Sequence, residues 1–180
     1  YRFIEFLAAA GQRYWQLMPL GPTGYGDSPY QCFSAFAGNP YLISLERLAR
    51  DGWLETAVLG NAPPFPRERV DYGPVIEYHR AMLATAHARF AKRADGDQRA
   101  AMAAFAAANA HWLDDFARFM ALKEANGDRI WHAWSAGKHK LYNPLPVDFD
   151  VRCEYHVFTQ WQFARQWAAL RAHAHTHGIE

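Results

Sequence analysis

Between Leu20 and Pro40 the chain reads LGPTGYGDSPYQCFSAFAGNP, and most of the groups that could act on a ligand sit here. Tyr25 and Tyr30 offer flat aromatic faces, and Asp27, Ser28, Gln31 and Asn39 offer hydrogen-bonding groups. A sugar presents the complement, apolar ring faces with a fringe of hydroxyls, so stacking by dispersion and burial can combine with directional hydrogen bonds. Pro29 fixes the approach to Tyr30, and Ser28 just before it is expected to be extended. A loop this long inside a compact domain is uncommon and usually binds something. The alternative is a structural turn whose tyrosines pack inward, because Gly/Pro-rich segments often only reverse the chain. The residues alone leave both readings open.

Other reactive groups carry less. Glycoside hydrolysis needs two carboxyl groups across the bond, about 5–5.5 Å apart for retention. Asp114 and Asp115 are adjacent on an expected helix and do not face each other, and Asp148 and Asp150 would share a face only in a strand. All four read as solvated surface acids. His173 and His177, in HAHTH, stand one helical turn apart, a spacing that can hold zinc. No third ligand lies near them in sequence and the segment closes a helix, so metal binding is set aside. His111 and His156 lie among aromatics and are expected to be partly buried. Cys32 has no marked base or orienting group beside it and reads as a small half-buried thiol.

The elements that must position these groups follow from periodicity and punctuation. Phe3, Phe6 and Leu7 recur at helical spacing, and Gly11 stops that helix. Tyr14 to Leu20 is a short apolar run bounded by Gly21-Pro22 and reads as a buried strand. Helix, strand, then a long polar loop is an α/β order, which puts the loop at the strand's C-terminal end, where such folds place their sites. Tyr41 to Leu45 is either a short strand or the entry to the helix that follows. Ser44 is a plausible N-cap of that helix and Gly52 its stop. The prolines between Gly60 and Asp71 mark a connector. Helices are expected from about Pro74 to Lys92, from the break at Asp95-Gly96-Asp97 to Ala125 as one Ala-rich segment, and from Arg152 to His175. Trp112, Phe116, Phe119 and Met120 form an apolar stripe on the second of these. A single strand has no partner to cover it, so the rest of its sheet is expected outside the chain.

The 180 residues are enough for one core, and 51% hydrophobic content argues for a globular protein. A net charge of +1, with no basic run, argues against a nucleic-acid groove or an anionic membrane patch. Two cysteines without a pairing pattern fit the cytoplasm better than a secreted scaffold. No apolar run is long enough to span a bilayer. The chain opens in mid-helix without Met and stops directly after a helix, so it reads as a piece of a longer polypeptide cut at both ends.

The block from Tyr14 to Ile43, YWQLMPLGPTGYGDSPYQCFSAFAGNPYLI, resembles the first block of the bacterial 4-alpha-glucanotransferases, the amylomaltases or disproportionating enzymes of the alpha-amylase clan. The resemblance continues through VDYG (Val70 to Gly73), WLDDFARFMALKEANG (Trp112 to Gly127) and FTQWQFARQWAALRAHAHTHGI (Phe158 to Ile179). It implies part of a (β/α)8 barrel, an α/β TIM-barrel fold that is helix-rich and carries a helical insertion subdomain. On that pattern residues 1–60 hold the first βα units and the substrate loop, 61–153 a mainly helical insertion and 154–180 a barrel helix.

The implied activity is transfer of α-1,4-glucan segments between maltooligosaccharides by a retaining double displacement, with no cofactor and no metal. The implied donor-cleft residues are Tyr30 and Ser28, with Asp27, Gln31 and Asn39 beside them. Tyr25 and Tyr72 match a second glucan-binding groove. The catalytic carboxylates of the family match no residue here and would lie beyond residue 180, so the piece alone is expected to be inactive. Three departures stand out: Cys32 where serine is frequent, His79 where lysine is frequent after VDY, and Ser135 to Arg152, which lacks the usual Arg/Glu-rich helix. The competing readings are a non-catalytic α-glucan-binding module and a helical interaction domain.

Overall fold

The computed structural model describes residues 1–134 and 145–180, apart from the side chain of Tyr25. Seven α-helices are present among them: α1 (Arg2–Ala9), α2 (Leu45–Arg50), α3 (Thr56–Leu59), α4 (Tyr72–Arg93), α5 (Gly96–Ala108), α6 (Ala110–Ala125) and α7 (Phe149–Thr176). Among the described residues no helix is long and apolar enough to cross a membrane. The chain divides into two compact units, residues 1–86 with 162–180 and residues 87–161.

The first unit is organised by the two ends of the chain. α7 stops at Gly178, whose φ of +70° suits the left-handed position that a residue with a Cβ resists. The Gly178 amide donates to the His175 carbonyl and the Ile179 amide to the Ala174 carbonyl, both at 3.0 Å. That is the Schellman pattern, with its usual apolar contact, because Ile179 and Ala174 pack with Ile4 of α1 in one buried cluster. Leu7, Trp15 and Leu170 surround the cluster.

The turn aims the last residue along the segment after α1. The Glu180 amide donates to the Arg13 carbonyl and the Trp15 amide to the Glu180 carbonyl, both at 2.8 Å. A residue that exchanges both groups with the two neighbours of Tyr14 lies beside Tyr14 in parallel register. Segment 13–18 also alternates. Trp15 and Leu17 line cavities with Trp167 and Leu170, while Tyr14 and Met18 are exposed at 74% and 61%.

The buried strand expected over Tyr14 to Leu20 is therefore corrected. Its local form is strand-like, but no ladder forms among the described residues beyond this one pair of bonds. A strand needs a neighbour to take its amides and carbonyls along its length, and here Glu180 pairs at the start of the segment and Asn39 only with its last carbonyl. Among the described residues the only β-bridge lies further on, between Thr23 and Cys32. The described fold is helix-rich.

The entry to α2 is a short 3₁₀ turn at Pro40–Leu42 rather than a strand, followed by Ser44 as N-cap. The Ser44 hydroxyl accepts from the Arg47 amide at 3.3 Å. Gln166 of α7 clamps the same residue, accepting from the Ser44 amide at 2.8 Å and donating to its carbonyl at 3.2 Å. Gly52 and Gly127 end their helices as expected.

The second unit is built on aromatic packing. Phe90 lies 5.2 Å from Phe158 and 5.4 Å from Trp161, ring centre to ring centre. Leu113, Phe116, Ala117 and Ala121 of α6 are buried. Asp95 caps α5 in a capping box with Gln98. The Ala-rich segment is two helices, not one. Asn109, at φ −113° and ψ 10°, separates α5 from α6. Its side-chain NH₂ group donates to the Phe105 carbonyl at 2.9 Å, and its side-chain oxygen accepts from the Trp112 indole at 3.1 Å. Those bonds satisfy a local bend that the alanines' helix propensity does not reveal.

His156 is buried as expected, but His111 is exposed, because its position on α6 falls on the solvent face next to Ala110 and away from Leu113. Cys32 is exposed rather than half-buried, and both cysteines are free. Of the stretch Ser135 to Arg152, residues 135–144 lie outside those described.

Candidate functional site

The loop from Leu20 to Pro40 is a closed, hydrogen-bonded hairpin. Thr23 and Cys32 pair as an antiparallel bridge, and the Gly24 amide donates to the Gln31 carbonyl at 2.7 Å. The base is tied where the Asn39 amide donates to the Leu20 carbonyl at 2.7 Å. Gly38 sits so close to α7 that a Cβ there would lie 2.1 Å from the Phe163 ring. Ser34 accepts from the amides of Phe36 and Ala37, each at 3.1 Å. The loop's backbone is thus fixed at both its base and its tip.

At the tip a short 3₁₀ turn (Tyr25–Asp27) is followed by extended Ser28, at φ −71° and ψ 129°, the geometry the next proline demands. The Ser28 hydroxyl accepts from the Tyr30 amide at 3.3 Å and its carbonyl from the Gln31 amide at 3.1 Å. Asp27 takes a positive φ of 54°. Tyr30 stands 71% exposed, and Gln31 is exposed beside it. An open ring among half-buried hydroxyl, carboxylate and exposed carboxamide groups is a surface for a neutral, polyhydroxylated ligand.

The hairpin brings together Asp27, Ser28, Tyr30 and Gln31. Asn39 lies at its base, where its side-chain oxygen accepts from the Tyr41 amide at 2.9 Å and caps the Pro40–Leu42 turn. Its NH₂ group is the part left to offer a ligand. Tyr72 is on another element, the first residue of α4, and is 46% exposed. The side chain of Tyr25 lies outside the described residues. Asp114, Asp115 and Asp150 are exposed, and Asp148 pairs with Arg152 at 2.7 Å.

One feature of the same unit escaped sequence reasoning. A cavity of about 380 Å³ lies beside the start of α4, with Phe65, Arg69, Asp71, Tyr78 and His79 in its wall. Phe65 meets Tyr78 edge-on at 5.7 Å. Burial holds the His79 imidazole below its usual pKa, opposed in part by the Glu46 carboxylate. Glu46 is itself held low, first by a backbone hydrogen bond and then by the Ser44 hydroxyl. The signal in the sequence was an aromatic, Phe65, placed among the connector's prolines.

Comparison with known proteins decides the family. The family model described as 4-alpha-glucanotransferase, of glycoside hydrolase family 77, matches residues 1–180. The chain belongs to this 4-alpha-glucanotransferase family. A 4-alpha-glucanotransferase of Thermus thermophilus is 46% identical over 98% of this chain and 35% of its own length. Another from Synechocystis is 43% identical over 99% of this chain and 36% of its own. Among solved structures, an amylomaltase from Streptococcus agalactiae in complex with acarbose matches with a TM-score of 0.89 at 32% identity, covering all of this chain and 37% of that one. The chain spans about a third of the length of the curated relatives it matches.

Proposed function

We propose that residues 1–180 form the glucan-positioning part of a cytoplasmic 4-alpha-glucanotransferase, which moves α-1,4-glucan segments between maltooligosaccharides by a retaining double displacement. The observation that carries the reading is the hairpin tip, where an open Tyr30 ring stands on a hydrogen-bonded backbone beside Asp27, Ser28 and Gln31. In this reading Tyr30 stacks on a donor glucose and Ser28 and Gln31 take its hydroxyls. Asp27 and the Asn39 amide add polar contacts, and Tyr25 and Tyr72 serve a separate glucan groove. Positioning of this kind contributes to catalysis directly, because it converts an encounter into a near-attack geometry.

The nucleophile and acid/base carboxylates are assigned to sequence outside residues 1–180, with residues 61–153 as a helical insertion. A barrel is supported by the strand-like alternation of segment 13–18 and by Glu180 lying in parallel register beside it. The amylomaltase relative that carries acarbose supports a glucan-like ligand.

The test is titration of the 180-residue chain and of the full-length protein with maltooligosaccharides, followed by tryptophan fluorescence, alongside a disproportionation assay. Binding by both with transfer only by the full-length protein is the expected result. Binding without transfer by either would make the chain part of a glucan-binding module instead. No binding by either would remove the platform.

A further inference from the structure

We propose that Glu5, His173 and His177 form a zinc site that clips α1 to the end of α7. The spacing of the two histidines lacked a third ligand near in sequence, and the fold supplies it from the opposite end of the chain. One ligand atom from each of the three side chains lies within 4.8 Å of the others. His173 Nε2 is 3.7 Å from Glu5 Oε1, too far for a hydrogen bond and close to the ~3.4 Å edge of a tetrahedron with zinc–ligand bonds of about 2.1 Å. That nitrogen is buried and has no hydrogen-bond partner. A buried ring nitrogen without a hydrogen-bond partner, facing a carboxylate, is an arrangement a cation can complete.

The second imidazole is already oriented. His177 Nδ1 lies 2.9 Å from the His173 carbonyl. This is the outer hydrogen bond that fixes tautomer and ring direction in ligating histidines, and it leaves the other ring nitrogen with a free lone pair. Thr176 donates its hydroxyl to the same carbonyl at 2.8 Å. The Tyr1 ring packs on His173 at 4.7 Å, and the His173 and His177 rings are 4.3 Å apart.

The backbones beneath the ligands are set independently of any metal. Ile4, next to Glu5, is buried against Ala174, which directly follows His173, and Ile179, two residues after His177. Only side chains need to move, and Glu5 and His177 are exposed and can do so. Two imidazoles and one carboxylate suit a borderline divalent ion such as zinc, with water as the fourth ligand.

The test is calorimetric titration of the metal-stripped full chain with zinc chloride. Expected are about one ion bound per chain and affinity lowered at least ~10-fold in Glu5→Gln, His173→Gln and His177→Gln. His175→Gln, altering the exposed histidine between the two, should leave affinity unchanged. Glu5→Gln touches an exposed side chain, so its fold should survive, checked by circular dichroism. X-ray absorption of the zinc-loaded chain should show two imidazoles with oxygen at about 2.0–2.1 Å. Absence of binding, wild-type affinity in Glu5→Gln, or an equal loss in His175→Gln would overturn the proposal; the last would mark a generic histidine-rich helix end.

Discussion

Replacing Tyr30 by alanine is the sharpest test of the glucan platform, because the side chain contributes little to the fold. A tyrosine side chain offers on the order of 200 Å², and 71% of Tyr30 is open to solvent. About 140 Å² is therefore available, and a pyranose on one face would cover about half of it. At ~25 cal/mol per Å² the stack is worth roughly 1.8 kcal/mol, or about 20-fold in an equilibrium or rate constant. In the full-length enzyme, Tyr30→Ala is expected to lower kcat/KM for maltotriose at least ~10-fold, read from glucose release. Tyr30→Phe keeps the face and should retain most of the activity. The melting temperature should barely change in either variant, because the hydrogen bond to Ser28 is made by the backbone amide. Wild-type kcat/KM in Tyr30→Ala would refute the stacking role, and an equal loss in Tyr30→Phe would move the role to the hydroxyl.

Gly38→Ala would drive a methyl group to 2.1 Å from the Phe163 ring. The expected cost is about 1–3 kcal/mol of overpacking, seen as a lowered melting temperature and partly recovered by adding Phe163→Leu. Burial depresses the His79 and His87 pKa values, with nearby carboxylates opposing it in part. The unfolded chain then binds protons that the folded chain refuses, so stability is full above about pH 6.5 and falls as pH drops below it. The urea midpoint should be lower at pH 5.5 than at pH 7.5, by a smaller margin in His87→Gln; a flat or inverted profile would contradict the burial argument. The 180-residue chain alone is expected to transfer no glucosyl units between maltooligosaccharides, and disproportionation by the purified piece would place the catalytic carboxylates within it.

Local chemistry made many boundaries legible. Ser44 and Asp95 cap helices where a short oxygen-bearing side chain precedes an apolar run, and Gly11, Gly52 and Gly127 stand where helices end. Ser28 is extended because a proline follows it. What escaped is non-local or competes with propensity. Ala-rich sequence hides the Asn109 break, since the decisive contact is the Trp112 indole on the Asn109 side chain. The exposure of Cys32 depends on the hairpin's pairing, and that of His111 on which face of α6 is covered. Glu5 gave no sign of being near His173, because nothing local joins positions at opposite ends of a chain. The segment at Tyr14 had the alternation of a strand, but alternation cannot supply a neighbour.

The two bonds that Glu180 makes to Arg13 and Trp15 also set a schedule. The first unit is discontinuous in sequence, and the cluster of Ile4 with Ala174 and Ile179 cannot form until the end of α7 has been synthesised. At about 5–20 residues per second a ribosome needs roughly 10–30 s to make that stretch. For that interval the amino-terminal segment waits with Trp15 and Leu17 uncovered, and residues 87–161 are complete only roughly 1–4 s before residue 180 is added. The contacts that close the first unit are of high order and slow to form. In a nascent chain residues 87–161 are complete before the frame that holds the Leu20–Pro40 hairpin can close.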